Sequence, residues 1–285
     1  MLQTLILAAF VTAAAATAAA QPPLRPEGID RAFARLYSYD FPGAHVVLDE
    51  EARARPDDPL VYAVRGAAYL FTEFERQHIL EMQFFEDDDK VTDRKRLKPD
   101  PAVRARVFAA TASARKLANA RLAINPADRN ALFALCAAVG IETDYTGLIE
   151  KRYFKTYSLS KEAQKHARRL LALDPPDYDA YMTIGTAEYV VSKLNFFFRL
   201  FVRFDQIEGS KQKAMADLEL VVKYGHYYRP FSKMLLAAIH LRENRPGPAL
   251  ALLKEVDGEF PGNPLIKKEI ARAEGKVRLA AATPR

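Results

Sequence analysis

Cysteine occurs once in these 285 residues, at Cys136, and tryptophan does not occur at all. A single cysteine closes no internal disulfide, so packing alone must hold the chain together, even in an oxidising compartment. Glycine is scarce too, with 12 residues placed mostly where one helical segment gives way to the next. That leaves no room for a phosphate-cradling glycine loop or a nucleophile elbow. The five histidines, at 45, 78, 166, 226 and 240, have no metal-binding spacing to one another or to the cysteine. Strand-like alternation is also rare, which leaves helix as the prevailing structure. Catalytic residues, a metal site and a cofactor are therefore not expected.

What is present is an ordinary globular balance, 49% hydrophobic and 27% charged, with a net charge of +6. Disorder over most of the chain is unlike this composition. Residues 1–20 stand apart: an apolar run from Leu5 to Val11 precedes Ala18-Ala19-Ala20 and carries no charged side chain. This is the pattern of a cleaved secretory signal, with an uncleaved membrane anchor as the alternative reading. Residues 21–26 read as a proline-rich linker. The expected location is periplasmic or secreted, where a basic surface meets anionic lipid, cell-wall polymer or acidic protein rather than nucleic acid.

The strongest signal is a recurring frame. Ala32, Ala44, Leu48 and Pro56 repeat as Ala237, Ala249, Leu253 and Pro261, 205 residues later. Between them, Leu122-Ala123-Ile124-Asn125-Pro126 is echoed by Leu171-Ala172-Leu173-Asp174-Pro175. Each of these is a helix end, stopped by Pro and followed by an Asp or Asn that starts the next helix. A small residue stands ten positions after three of the prolines: Gly66, Cys136 and Gly185. Cys136 is thus a buried packing thiol in this frame. Ala214 and Leu218 suit a further second helix, although His226 stands where Pro would close the unit.

On these residues the chain resembles the tetratricopeptide-repeat family, over roughly residues 27–276. The resemblance implies an all-α, right-handed superhelical solenoid of about five helix hairpins with a C-terminal capping helix. Residues 277–285 are then a flexible tail. The family's implied role is binding of a protein or peptide partner on the solenoid's surfaces.

Departures from the frame carry the functional reading. In hairpins two, three and four, 36, 15 and 17 extra residues separate the small residue from the Ala of the second helix. Such turns lie along one edge of a stack, and insertions on one side often form the binding face. The first insertion, roughly Phe74 to Pro101, carries Phe74, Phe84 and Phe85, an acidic run 86–89 and a basic run 94–98. The acidic run lacks the alternation and glycine turn of a calcium loop and reads as solvated. Glu75, His78 and Glu81 share a helical spacing, but no second such pair exists to complete a metal site. The second insertion sets Tyr145, Tyr153, Phe154 and Tyr157 among Lys151, Arg152 and Lys155. In the third, residues 196–204 contain five Phe with Arg199 and Arg203. Three fates are open to it: folding back as core, docking a partner, or entering a membrane interface where Arg snorkels to phosphate. The candidate partner-binding residues are Lys151, Arg152, Tyr153, Phe154, Phe197, Arg199, Phe201 and Arg203.

The family resemblance also implies a concave groove lined by the first helix of each hairpin. The corresponding positions here include Phe33, Tyr37, Phe71, Phe133, Met182, Tyr189, Phe231 and Met234, with Asp179 and Arg242 as the few charges. This groove is apolar, unlike one that clamps a terminal carboxylate. It either binds something greasy or is filled by the chain's own insertions. The expected function is a non-catalytic scaffold in the cell envelope; peripheral binding to an anionic membrane is the alternative, and a metal-dependent enzyme a distant third.

Overall fold

The computed structural model describes residues 27–86, 97–173, 176–193 and 207–282. The expected signal segment and linker lie outside these residues. So do Asp87–Asp89, Arg94–Arg96 and the whole Phe-rich stretch with Phe197, Arg199, Phe201 and Arg203.

The described residues hold twelve α-helices and no strand. They are α1 (Glu27–Tyr37), α2 (Phe41–Ala54), α3 (Pro59–Arg76), α4 (Met82–Glu86), α5 (Pro101–Ile124), α6 (Arg129–Asp144), α7 (Tyr153–Leu171), α8 (Tyr181–Ser192), α9 (Lys211–Tyr224), α10 (Arg229–Arg242), α11 (Pro246–Glu259) and α12 (Pro264–Ala282). Aspartates 40, 58, 100 and 128 each precede a helix and accept a hydrogen bond from a backbone N–H of its first turn. In α3 and α5 a proline follows directly, where its missing N–H costs nothing. The last helix runs on to Ala282, so the tail expected from residue 277 begins inside a helix.

The helices pack in chain order. α1 lies on α2, α3 on α5, α6 on α7, α8 on α9, and α10 on α11; α12 covers the far side of α11. Each second helix also touches the first helix of the next pair. The frame residues are the contact points: Ala32, Ala44, Leu48, Ala114, Ala214, Leu218, Ala237, Ala249 and Leu253 are fully buried. Gly185 shows why the frame wants a small side chain. A Cβ there would lie 3.1 Å from the Ala214 carbonyl oxygen of α9, too near for a larger residue. Cys136 is buried as well, and burial pushes its thiol up to about 12, so it packs as a small hydrophobe against Thr183.

Beyond this neighbour-to-neighbour order, the two ends meet. On α1, the Tyr37 hydroxyl donates to the Tyr227 carbonyl at 2.7 Å, and the Asn263 amide donates to the Tyr37 carbonyl at 2.8 Å. The Phe33 and Tyr227 rings stack at 4.7 Å, and His226 Nε2 lies 2.5 Å from Asp30. The first hairpin is thereby joined to the turns that precede α10 and α12.

A second closure lies on the insertion side. The short helix α4 packs on α10, and Arg242 donates to the Phe85 carbonyl at 2.8 Å. Glu269 of α12 accepts from the Met82 backbone N–H at 3.1 Å. Arg272 and Lys276 both bind Glu86, at 2.6 and 2.5 Å, and Lys268 binds Glu81 at 2.9 Å. Most of these ion pairs are partly solvated, so each is weak alone and screened by salt. Glu86→Lys should therefore loosen the strap without unfolding the helices. Hydrogen exchange is expected to speed up across residues 82–86 while the circular dichroism stays unchanged; unaltered exchange there would show that α4 is held by its apolar contacts alone.

Candidate partner-binding edge

The edge begins with how α6 ends. This helix is mostly buried, residues 131–139 without exception, which explains an apolar content high enough to suit a membrane span over Arg129–Ile149. It does not stop at Asp144 but widens into a π-helical turn over Tyr145–Ile149, where the Glu150 N–H reaches the Tyr145 carbonyl. Thr146 donates its hydroxyl back to the carbonyls of Glu142 and Thr143, and Thr156 donates to Thr146, tying the turn to the start of α7. Such wide turns re-aim the chain that leaves them. Lys151 then adopts a positive φ of 54°, which turns successive side chains in opposite senses.

The result sorts the candidate residues. Lys151 is not on the surface: it is 2% exposed, with its ammonium 5.5 Å from the Phe84 ring. It belongs to the interior seam between the first and second insertions. Arg152 points outward beside Glu150, which is itself held by Arg104 at 2.6 Å. Tyr153 is half exposed, and Phe154 is 90% exposed, the most solvent-facing large hydrophobic among the described residues. Lys155 is exposed next to it.

The described parts of the first two insertions lie side by side. Phe84 and Leu97 of the first share one apolar cluster with Tyr145 and Ile149 of the second. Tyr157, at the start of α7, packs on Val191 and Ile207, which flank the third. Arg152, Tyr153 and Phe154 thus sit between the apolar cluster shared with the first insertion and the Tyr157 contact with Val191 and Ile207.

The groove positions meet a different outcome. Phe33, Tyr37 and Phe133 converge, but onto Tyr227 and Tyr228 rather than onto solvent: Phe133 lies 5.5 Å from both rings and Phe33 within 6.0 Å of Tyr228. Phe71 and Phe231 meet 6.1 Å apart and, with Met234, pack against the same core. Met182 and Tyr189 meet this group only through Tyr228 and Phe231. They pack with Leu218, Val221, Leu236 and Ile239 between α8, α9 and α10. Of the two expected occupants, the chain's own residues fill the centre, yet they come from the turn before α10 and not from a described insertion. Burial raises the Tyr37 and Tyr228 phenols well above the usual range, as expected for rings cut off from water.

Four acids that the repeat frame does not single out hold the non-repeating chain in place. Asp179, 1% exposed, accepts from the backbone N–H groups of His226, Tyr227 and Tyr228 at 2.9, 2.9 and 3.0 Å. Glu188, equally buried, accepts from Glu208, Gly209 and Ser210 and from the Lys213 ammonium. Glu73 accepts from Asp100 N–H and from Arg76 and Gln77 beside it. Glu269 does the same for Met82. Asp179 was visible in the sequence only as a lone acid among apolar groove positions.

Among the described residues, no three His, Cys, Asp or Glu side chains converge as metal ligands. His78 has a φ of 58° and lies beyond the end of α3 at Arg76, so Glu75, His78 and Glu81 do not share a helix as their spacing predicts. Glu81 instead pairs with Lys268 and His78. No family model and no curated protein matches this chain.

Proposed function

We propose that the chain is an exported, tetratricopeptide-like solenoid that binds a protein partner through the outward corner formed by Arg152, Tyr153 and Phe154. The observation that carries this reading is Phe154: 90% exposed, it stands beside a half-exposed Tyr and two basic side chains, on a helix start fixed from behind by the Thr146–Thr156 contact. Aromatic and Arg side chains on a rigid support are where interface energy concentrates. Phe197, Arg199, Phe201 and Arg203, outside the described residues, are assigned to the same site in this reading because the flanking Val191 and Ile207 pack with Tyr157. The apolar centre, occupied by Tyr227 and Tyr228, serves as core and leaves binding to the edge.

A photo-crosslinking residue at position 154 in the exported protein tests this. The expected product is a discrete adduct with a polypeptide, identified by mass spectrometry. Against the purified partner, Phe154→Ser should weaken binding about tenfold or more, the scale of an interface hot spot. Adducts with lipid alone would transfer the site to a membrane surface, and affinity unchanged by Phe154→Ser would remove the corner from the interface.

A further inference from the structure

A separate feature shares no residue with the Arg152–Phe154 corner. The α2 and α5 helices flank a solvent-open groove of about 600 Å³ over α3. Short side chains, Ala52 of α2 and Ala109 and Ala110 of α5, are among its lining. Three guanidinium groups line it, Arg53 from α2, Arg65 from α3 and Arg106 from α5, against one carboxylate, Asp49. Asp49 is already engaged, 2.7 Å from Arg65. Arg53 and Arg106 have no carboxylate partner among the described residues; the Arg106 guanidinium lies 5.9 Å over the Tyr69 ring. Two tyrosine faces, Tyr62 and Tyr69, complete the walls, and Tyr62 is fixed by donating its hydroxyl to the Pro56 carbonyl at 3.0 Å.

The site therefore carries two positive charges in excess, presented as planar forks. Guanidinium forks match the oxygens of phosphate and carboxylate, and the Lys ammonium does not reproduce that geometry. A phosphate monoester near neutral pH carries close to two negative charges, which balances this excess where a single carboxylate does not. We propose that this groove binds a phosphate monoester, with Arg53 and Arg106 on its oxygens and the Tyr62 and Tyr69 rings beside the group that bears it. The ester belongs either to a small soluble molecule or to a lipid headgroup; the recognising chemistry is the same.

His45 offers a built-in reporter. Its ring lies 4.3 Å from that of Tyr69, and its basicity is lowered by burial first and then by Arg65; Asp49 opposes this and Arg106 adds to it. A bound dianion offsets the two arginines, so the His45 titration midpoint should rise on binding.

The test is an NMR titration of the His45 imidazole in the full chain with inorganic phosphate, phenyl phosphate and acetate. Saturable shifts are expected with both phosphates, tighter for phenyl phosphate, with acetate at least about tenfold weaker. Arg53→Gln and Arg106→Gln, both at exposed positions, should each weaken phenyl phosphate about tenfold with helicity unchanged. Co-sedimentation with phosphatidylcholine vesicles containing phosphatidic acid separates the sources: retention lost in the two variants assigns a headgroup, and no retention alongside saturable phenyl phosphate assigns a soluble ester. Shifts that fail to saturate, that are equal for acetate, or that survive both substitutions overturn the proposal. None of these outcomes bears on the Phe154 corner, which is read by crosslinking to polypeptide.

Discussion

Replacing Asp179 with Ala should lower the thermal midpoint by roughly 6–12 °C and open the centre of the molecule. Three backbone N–H groups, of His226, Tyr227 and Tyr228, lose the carboxylate that accepts from them at once. A buried donor left without a partner costs about 1–3 kcal/mol. The sum is on the order of 3 kcal/mol or more, and each kcal/mol moves the midpoint of a domain this size by roughly 2–4 °C. The consequence reaches beyond stability, because Tyr227 and Tyr228 are the rings against which Phe33 and Phe133 pack. Once that turn is released, α1 loses its stacking and the hydrogen bond from Tyr37, so a dye that binds exposed apolar surface should fluoresce with the Ala variant below its melting point. Asp179→Asn should fall between the two proteins. Its remaining oxygen serves two of the three donors, while its amide faces the third as a second donor. A midpoint for Asp179→Ala within about 2 °C of the parent would show that water replaces the carboxyl, and that the turn is held by ring packing instead.

The repeat positions were legible because each reports only on its neighbours. A small residue opposite an Ala specifies one helix-to-helix distance, and Ala32 with Ala44 or Ala237 with Ala249 states it within a dozen residues. Helix ends were legible for the same reason, since Asp58-Pro59 and Asp100-Pro101 start their helices by strictly local hydrogen bonds. The closure was not. It depends on how much each hairpin turns relative to the last, a sum of small rotations that no single residue encodes. Its contacts also join residues about 190 apart, such as Tyr37 and Tyr227. One trace did exist: the unit that ends at His226 lacks its Pro, and it is this turn that leaves the stack to enter the centre. Of the candidate edge, the excess length between paired helices was legible, and the described parts of its first two stretches meet in one apolar cluster. Which of its residues face outward was not, because Lys151 and Arg152 read alike in sequence. What parts them is the π-helical turn and the positive φ of Lys151, around which the Arg152 N–H returns to the Thr146 carbonyl.

The second large effect concerns Asp144, and it appears as a pH dependence. Along α6, the Glu142 side chain faces α5, where it meets Arg115 at 3.3 Å. Two residues further on, at 100° per residue, Asp144 points the opposite way, on the inward stripe with Phe133, Ala137 and Gly140. It has no hydrogen-bond or ion-pair partner among the described residues, and burial alone pushes its carboxyl up to about 7. The folded protein therefore keeps this proton through the interval from about pH 4 to 7, where the unfolded chain has already released it. Stability attributable to Asp144 is highest below pH 4, falls as the pH rises to 7, and is level above that. At about 1.4 kcal/mol for each pH unit of displacement, the full penalty is on the order of 4 kcal/mol, lowered by whatever surface the carboxyl retains. Asp144→Asn keeps the shape and removes the charge, so it should unfold at higher urea than the parent at pH 8 and at nearly the same urea at pH 4. His45, His166 and His240 also have their basicity lowered by burial, and they act with the opposite sign, costing stability as the pH falls through the same interval. They are common to both proteins and cancel in the difference. The discriminating quantity is therefore the gap between variant and parent, which should widen steadily from pH 4 to 7; a gap that stays constant would mean that Asp144 ionises in the folded protein as readily as in the unfolded chain.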